Sequence, residues 1–156
     1  MSTVIPGEKH YCATVVVISD SVPAKALLQH HRKHDRWMPP GGHQESNENP
    51  IEAAIRETLE ESGVDISAVI AKPRFTGEGL SFLPLPDYFL EEPIPAHGGQ
   101  PAHFHLDQVY VVRVPQQAIK LAEAESHDIG WFTLEETETM NCFKDMHEIL
   151  RKELAS

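Results

Sequence analysis

The chain has 156 residues, 40% hydrophobic and 24% charged, a balance that fits one domain spanning 1–156 with its own core and contains no apolar run long enough to span a bilayer. Its formal net charge of -11 argues against a nucleic-acid partner held through its backbone, which needs clustered Lys and Arg, but leaves room for a small anionic substrate bound through a divalent cation. Cys12 and Cys142 lie far apart in apolar settings, and the N-terminal stretch has no basic start followed by an apolar leader, so buried thiols, a cytoplasmic location and no membrane association are expected.

The β-branched run CATVVVI, residues 12–18, predicts a well-buried strand, and Pro23 marks a turn into a second, weaker strand over AKALLQHH, residues 24–31. The stretch WMPPGGHQESNENP, 37–50, reads as an irregular loop in which Gly41 and Gly42 let the backbone take positive φ or lie close to something bound. Asn49 and Pro50 form a helix start and Gly63 a helix stop. Between them Ile51, Ala54, Ile55, Thr58 and Leu59 recur at helical spacing, predicting a buried stripe with the acidic residues opposite. A strand is expected over 66–71, and a long irregular insertion over 76–102, rich in proline, that helps to choose the substrate. Further strands are expected over 104–114 and 129–132. Thr133 is placed to cap LEETE, and a terminal helix over 143–154 carries Phe143, Met146, Ile149, Leu150 and Leu154 on roughly one face. Strands alternating with helices define an α/β or α+β layered domain.

The central helix poses a chemical question. Glu57, Glu60 and Glu61 stand at i, i+3 and i+4, so three carboxylates share one helical face. Each like-charge pair costs a solvated helix only about 0.2–0.5 kcal/mol, so a wet outer face would tolerate them. The surroundings favour another reading. Gly42, five residues, Glu48, seven residues, then Arg56-Glu57-Thr58-Leu59-Glu60-Glu61-Ser62-Gly63-Val64 resembles the signature box of the Nudix hydrolase family at every charged and glycine position. Thr58 departs from the family's usual aliphatic residue, on the buried stripe. WMPPGGH resembles the family's common lead-in.

The resemblance implies a Nudix-type α/β/α sandwich with a mixed sheet. It also implies hydrolysis of the pyrophosphate bond in a nucleoside diphosphate linked to another group, by water attack on phosphorus with Mg²⁺ or Mn²⁺. Oxygen donors suit those hard ions, which keep waters and engage substrate phosphates. By match to the box, Glu57, Glu60 and Glu61 are metal ligands and the Gly42 carbonyl a further one. Arg56 orients a carboxylate, with Glu60 in reach four residues on, and Glu48 supports the helix. Glu125, preferred over Glu123, resembles the loop carboxylate that serves some relatives as general base, a role open also to Glu57 or a box neighbour. Gly41, Gly42, His103 and His105 are assigned to the substrate. His103, His105 and Asp107 share a strand face and could instead hold a transition metal, a reading ranked below substrate contact or solvation. Trp37, Phe82, Tyr88 and Phe89 are candidates to stack on a base. The expected partner is a small nucleoside diphosphate derivative, and a homodimer is compatible with the resemblance. The rival functions are a non-catalytic Nudix-fold nucleotide-binding or regulatory module, and an interaction protein with an acidic helix.

Overall fold

β-branched residues from Thr14 to Ile18 commit the first strand to the centre of the protein. In the computed structural model, which describes residues 4–155 and so excludes the first three residues of the stretch read for a leader, β1 spans Lys9–Ser19 and is buried from Cys12 onward. The other strands are β2 (Ala26–His31), β3 (Arg36–Met38), β4 (Gly41–His43), β5 (Arg74–Phe75), β6 (Ser81–Phe82), β7 (Tyr88–Ile94), β8 (His103–Val114) and β9 (Ser126–Phe132). Helices are α1 (Pro50–Ser62), α2 (Leu134–Glu138) and α3 (Lys144–Leu154).

A seven-stranded sheet runs β3-β2-β1-β8-β7, with β9 pairing β2 and β4 pairing β1. It is mixed, because β1 and β8 run parallel from Lys9↔Phe104 to Ser19↔Val114 while the other pairs are antiparallel. Side chains of a strand alternate between faces, so β1 supplies two cores. Ala13, Val15 and Val17 pack with Ile51, Ala53 and Ala54 of α1. Val16 and Ile18 pack with Met146, Ile149 and Leu150 of α3. The result is helix on both faces of a mixed sheet, the expected α/β/α sandwich. Both cysteines are buried and unpaired. Among the described residues no helix is long and apolar enough to cross a membrane.

Four expectations need correction. Residues 66–71 form turns, not a strand: Asp65 Oδ1 accepts the Ser67 N–H (2.9 Å), and the Ile70 N–H donates to the Ile66 carbonyl (3.0 Å). Ile66 and Ile70 are both buried through that helical turn, so their apolar spacing mimicked a strand. The 37–50 stretch is not wholly irregular, since β3 pairs β2 and β4 pairs β1 at Thr14↔Gly41 and Cys12↔His43. Within 76–102, β7 pairs β8 over its whole length and tolerates Pro93 because it is an edge strand.

The fourth concerns α1. Ile51, Ala54 and Thr58 are buried, but Ile55 is half-buried and Leu59 is 48% exposed, while Ala53, Glu61 and Ser62 are buried instead. The helix is rolled toward its acidic side. Thr58 fits its apolar position because its hydroxyl donates to the Ala54 carbonyl one turn back (2.8 Å).

Candidate active site

Helix α1 is set by its ends. Asn49 Oδ1 accepts the Glu52 N–H (2.9 Å) and Glu52 Oε1 accepts the Asn49 N–H (3.0 Å), a reciprocal capping box with Pro50 at the first helical position. Gly63 closes the helix at φ 75°, a left-handed conformation that only glycine adopts cheaply, and its N–H donates to the Leu59 carbonyl (2.9 Å).

These ends aim Arg56 at the preceding loop. Its guanidinium grips Glu48 with two bonds, Nη2 to Oε1 (2.6 Å) and Nε to Oε2 (3.0 Å). It also donates to Glu57 Oε1 (2.9 Å), to Glu60 Oε2 (3.3 Å) and to the His43 carbonyl (3.1 Å). The Glu60 contact expected from spacing is the longest of these, and the fork–fork pair with Glu48 is the anchor. Glu48 is held below the usual carboxylate range by Arg56, and the guanidinium is held charged by Glu48.

The three acids have different surroundings. Glu61 is 1% exposed; Oε1 accepts the Gly41 N–H (2.8 Å) and Oε2 accepts Gln29 Nε2 (2.5 Å), whose Oε1 in turn accepts Ser126 Oγ–H (2.6 Å). Burial pushes Glu61 up to about 8, against the lowering by Gln29 and Gly41 and with help from Glu57 and Glu125. Glu57 is half-buried and also raised, first by burial, although Arg56 pulls it down. The Glu60 side chain is 58% exposed.

Gly42 is required by contact: a Cβ there would lie 2.6 Å from Glu57 Oε1. At Gly41 it would lie 2.6 Å from the Ala13 carbonyl. The ladder also decides which carbonyl is free. The Val15 N–H donates to the Pro40 carbonyl and the Gln44 N–H to the Tyr11 carbonyl, so antiparallel alternation turns the backbone groups of Gly42 toward Ala13. Gly41, whose N–H goes to Glu61, faces away from β1, so Gly41 and not Gly42 offers an unengaged carbonyl on that side.

Glu125 lies just before β9 and is brought to this cluster from far along the chain. One ligand atom each from His31, Glu61 and Glu125 lie within 4.8 Å of one another. Glu123 contributes its carbonyl to Arg32 Nε (2.7 Å) and does not line the adjoining cavity. That cavity, about 1070 Å³, is bordered by Gly41, Gly42, Arg56, Glu57 and Glu125 at one side and by residues of β7, β8 and the start of α3 at the other.

His103, His105 and Asp107 line the same cavity, as their shared strand face predicts. His103 is 4% exposed and its Nδ1 lies 2.9 Å from the Pro101 carbonyl. His105 is pushed down to about 3, first by burial and then by neighbouring rings. Asp107 Oδ2 accepts the Thr14 hydroxyl (2.9 Å), and facing it Glu92 is pushed up to about 9 by burial and by Asp107. Of the aromatic candidates only Phe89 lines the cavity, 58% exposed. Trp37 stacks on His30 and meets Phe132 edge-on in the core, Tyr88 donates to Glu153, and Phe82 lies under Arg74. Gln29, His31, His43 and Glu92 escaped the sequence reading. A lone glutamine inside the apolar ALLQ run was the one available signal.

A mixed sheet between helices, with a capped helix presenting arginine-clamped glutamates beside a large cavity, defines a class of α/β/α sandwich domains. The chain belongs to the Nudix family: the family model described as NUDIX domain matches residues 8–152. It is 42% identical over 52 residues to the asymmetrical bis(5'-nucleosyl)-tetraphosphatase of Rattus norvegicus, covering 33% of this chain and 35% of that protein. It is 40% identical over 58 residues to diphosphoinositol polyphosphate phosphohydrolase 3-alpha of Mus musculus, covering 37% of this chain and 35% of that one. The matches thus span about a third of the length of these curated relatives. A Nudix-family hydrolase from Clostridium perfringens superimposes with a TM-score of 0.71 at 25% identity, covering 94% of this chain and 96% of the other.

Proposed function

We propose that this chain, as a single Nudix domain, hydrolyses a pyrophosphate bond in a nucleoside diphosphate linked to another group, with Mg²⁺ or Mn²⁺ seated on Glu57, Glu60 and Glu61. The observation that carries this reading is that Glu57 and the distant Glu125 border the same side of the cavity, with Glu61 buried behind them in reach of Glu125.

The donor set fits a hard divalent ion. It consists of carboxylate oxygens and the Gly41 carbonyl, and two of its acids have raised pKa values that a cation would reverse. When bound, such an ion polarises phosphoryl oxygens and lowers the pKa of a bound water. Arg56 holds the Glu57 carboxylate in place while keeping the loop at Glu48 against the helix. Glu60 joins by rotation of an exposed side chain whose one hydrogen bond among the described residues is the 3.3 Å contact with Arg56. Glu125 accepts the proton of the attacking water. Gly41 and Gly42 border the cavity on the phosphate side, and His103, His105 and Phe89 border the space for the rest of the substrate.

The test is phosphate release from a panel of nucleoside diphosphate derivatives, dinucleoside polyphosphates and diphosphoinositol polyphosphates, with and without Mg²⁺. Release is expected only with the metal, and Glu61→Gln or Glu60→Gln should abolish it while circular dichroism stays unchanged. Turnover retained in these variants sinks the ligand assignment; no release from any substrate favours the binding or regulatory module.

A further inference from the structure

Three neighbouring strands gather nitrogen and sulfur donors on one face, apart from the glutamates. In β1, His10 and Cys12 point to the α3 side of the sheet, as Val16 does. Register places Cys12 opposite His43 of β4 and His10 beside His105 of β8. One ligand atom each from Cys12, His43 and His105 lie within 4.8 Å of one another. The His43 and His105 rings are 4.8 Å apart, and His103 is 5.2 Å from His105.

One detail distinguishes this cluster from rings that merely pack. His105 Nε2 is buried and has no hydrogen-bond partner among the described residues, a cost that an apolar side chain would not incur.

We propose that Cys12, His43 and His105 bind a Zn²⁺ ion on the cavity wall, with the fourth position open to the cavity. A thiolate and two imidazoles suit a borderline-soft ion with tetrahedral preference and do not suit Mg²⁺. Binding replaces the Cys12 thiol proton, which leaves to solvent. Asp107, grouped with the two histidines from its strand face alone, is engaged by Thr14 and falls outside the set. The site shares the cavity, where His105 also borders the substrate space, but none of its ligands is one of the proposed Mg²⁺ ligands, and its test reads metal binding without turnover.

Metal-stripped protein is titrated with Co²⁺, which reports tetrahedral sulfur coordination by its absorption. The expected result is a thiolate-to-cobalt charge-transfer band saturating at a stoichiometric equivalent, displaced by Zn²⁺ and unaffected by excess Mg²⁺. Cys142→Ser and Glu61→Gln should keep the band, Cys12→Ser should remove it, and His105→Gln should weaken binding roughly tenfold or more. No band in the unmodified chain overturns the proposal without recourse to any variant. A band that survives Cys12→Ser, or vanishes in Cys142→Ser or Glu61→Gln, overturns it too.

Discussion

At the scale of single residues the site turns on Glu61, a carboxyl 1% exposed that accepts two hydrogen bonds and still titrates near 8 because burial outweighs them. The folded chain therefore holds a proton that the unfolded chain releases above about 4.5. A raised carboxyl pKa contributes stability below the unfolded value and loses it as pH rises through the folded one. Metal-free protein should thus lose stability relative to Glu61→Gln between pH 4.5 and 8. The difference is expected to be on the order of a few kcal/mol, each unit being worth about 1.4 kcal/mol, and denaturant melts across that range would measure it. A parallel pH course for the two proteins would contradict the assignment. Glu92, pushed up to about 9, titrates in both proteins and does not enter the comparison.

At the scale of elements, α1 and β4 act as one device. The capping box at Asn49 sets where the helix begins, and so which residues meet the sheet. Asn49→Ala should cost about 1 kcal/mol, read as a lower thermal midpoint. Gly42→Ala tests a different link, because the added Cβ would meet Glu57 at 2.6 Å in a strand whose backbone needs no positive φ. It should displace the carboxylate and raise the Mg²⁺ requirement for turnover roughly tenfold or more with little change in melting. Unaltered Mg²⁺ dependence would remove Glu57 from the proposed ligands. The helix was legible because Asn-Pro, Gly63 and the 3.6-residue period are local signals. Its roll was not: Leu59 is exposed and Glu61 buried because β2 and β4 offer Gln29 and Gly41 as partners, and no local pattern reports them.

At the scale of the whole molecule, a cation bound to the folded state alone stabilises it by mass action, about 2.7 kcal/mol at a hundredfold excess over Kd. Mg²⁺ should raise the thermal midpoint of the unmodified protein and have little effect on a Glu57→Gln, Glu61→Gln double variant. An equal rise in both would place the ion elsewhere. The two cores that carry the site share β1 and should melt as one unit. Leu150→Ala on the far face should therefore destabilise the whole domain by about 2–5 kcal/mol, with a calorimetric trace still showing a single transition.

Residue order alone determined the box from Gly42 to Val64, the bounds of α1, the Thr133 cap of α2, the buried face of α3 and the strands begun at 12–18, 24–31, 104–114 and 129–132, because these depend on neighbours within a few positions. Tertiary structure decided the rest. It made strands of Gly41–His43 and Tyr88–Ile94 by supplying β1 and β8 as partners, and turned 66–71 into a helical turn. It brought Glu125 to Glu61, directed Gly41 and not Gly42 toward the acids, and set Cys12 beside His43 and His105. Pairing between distant strands and the burial of a charge are properties of what the chain folds against, and short-range spacing carries no record of them.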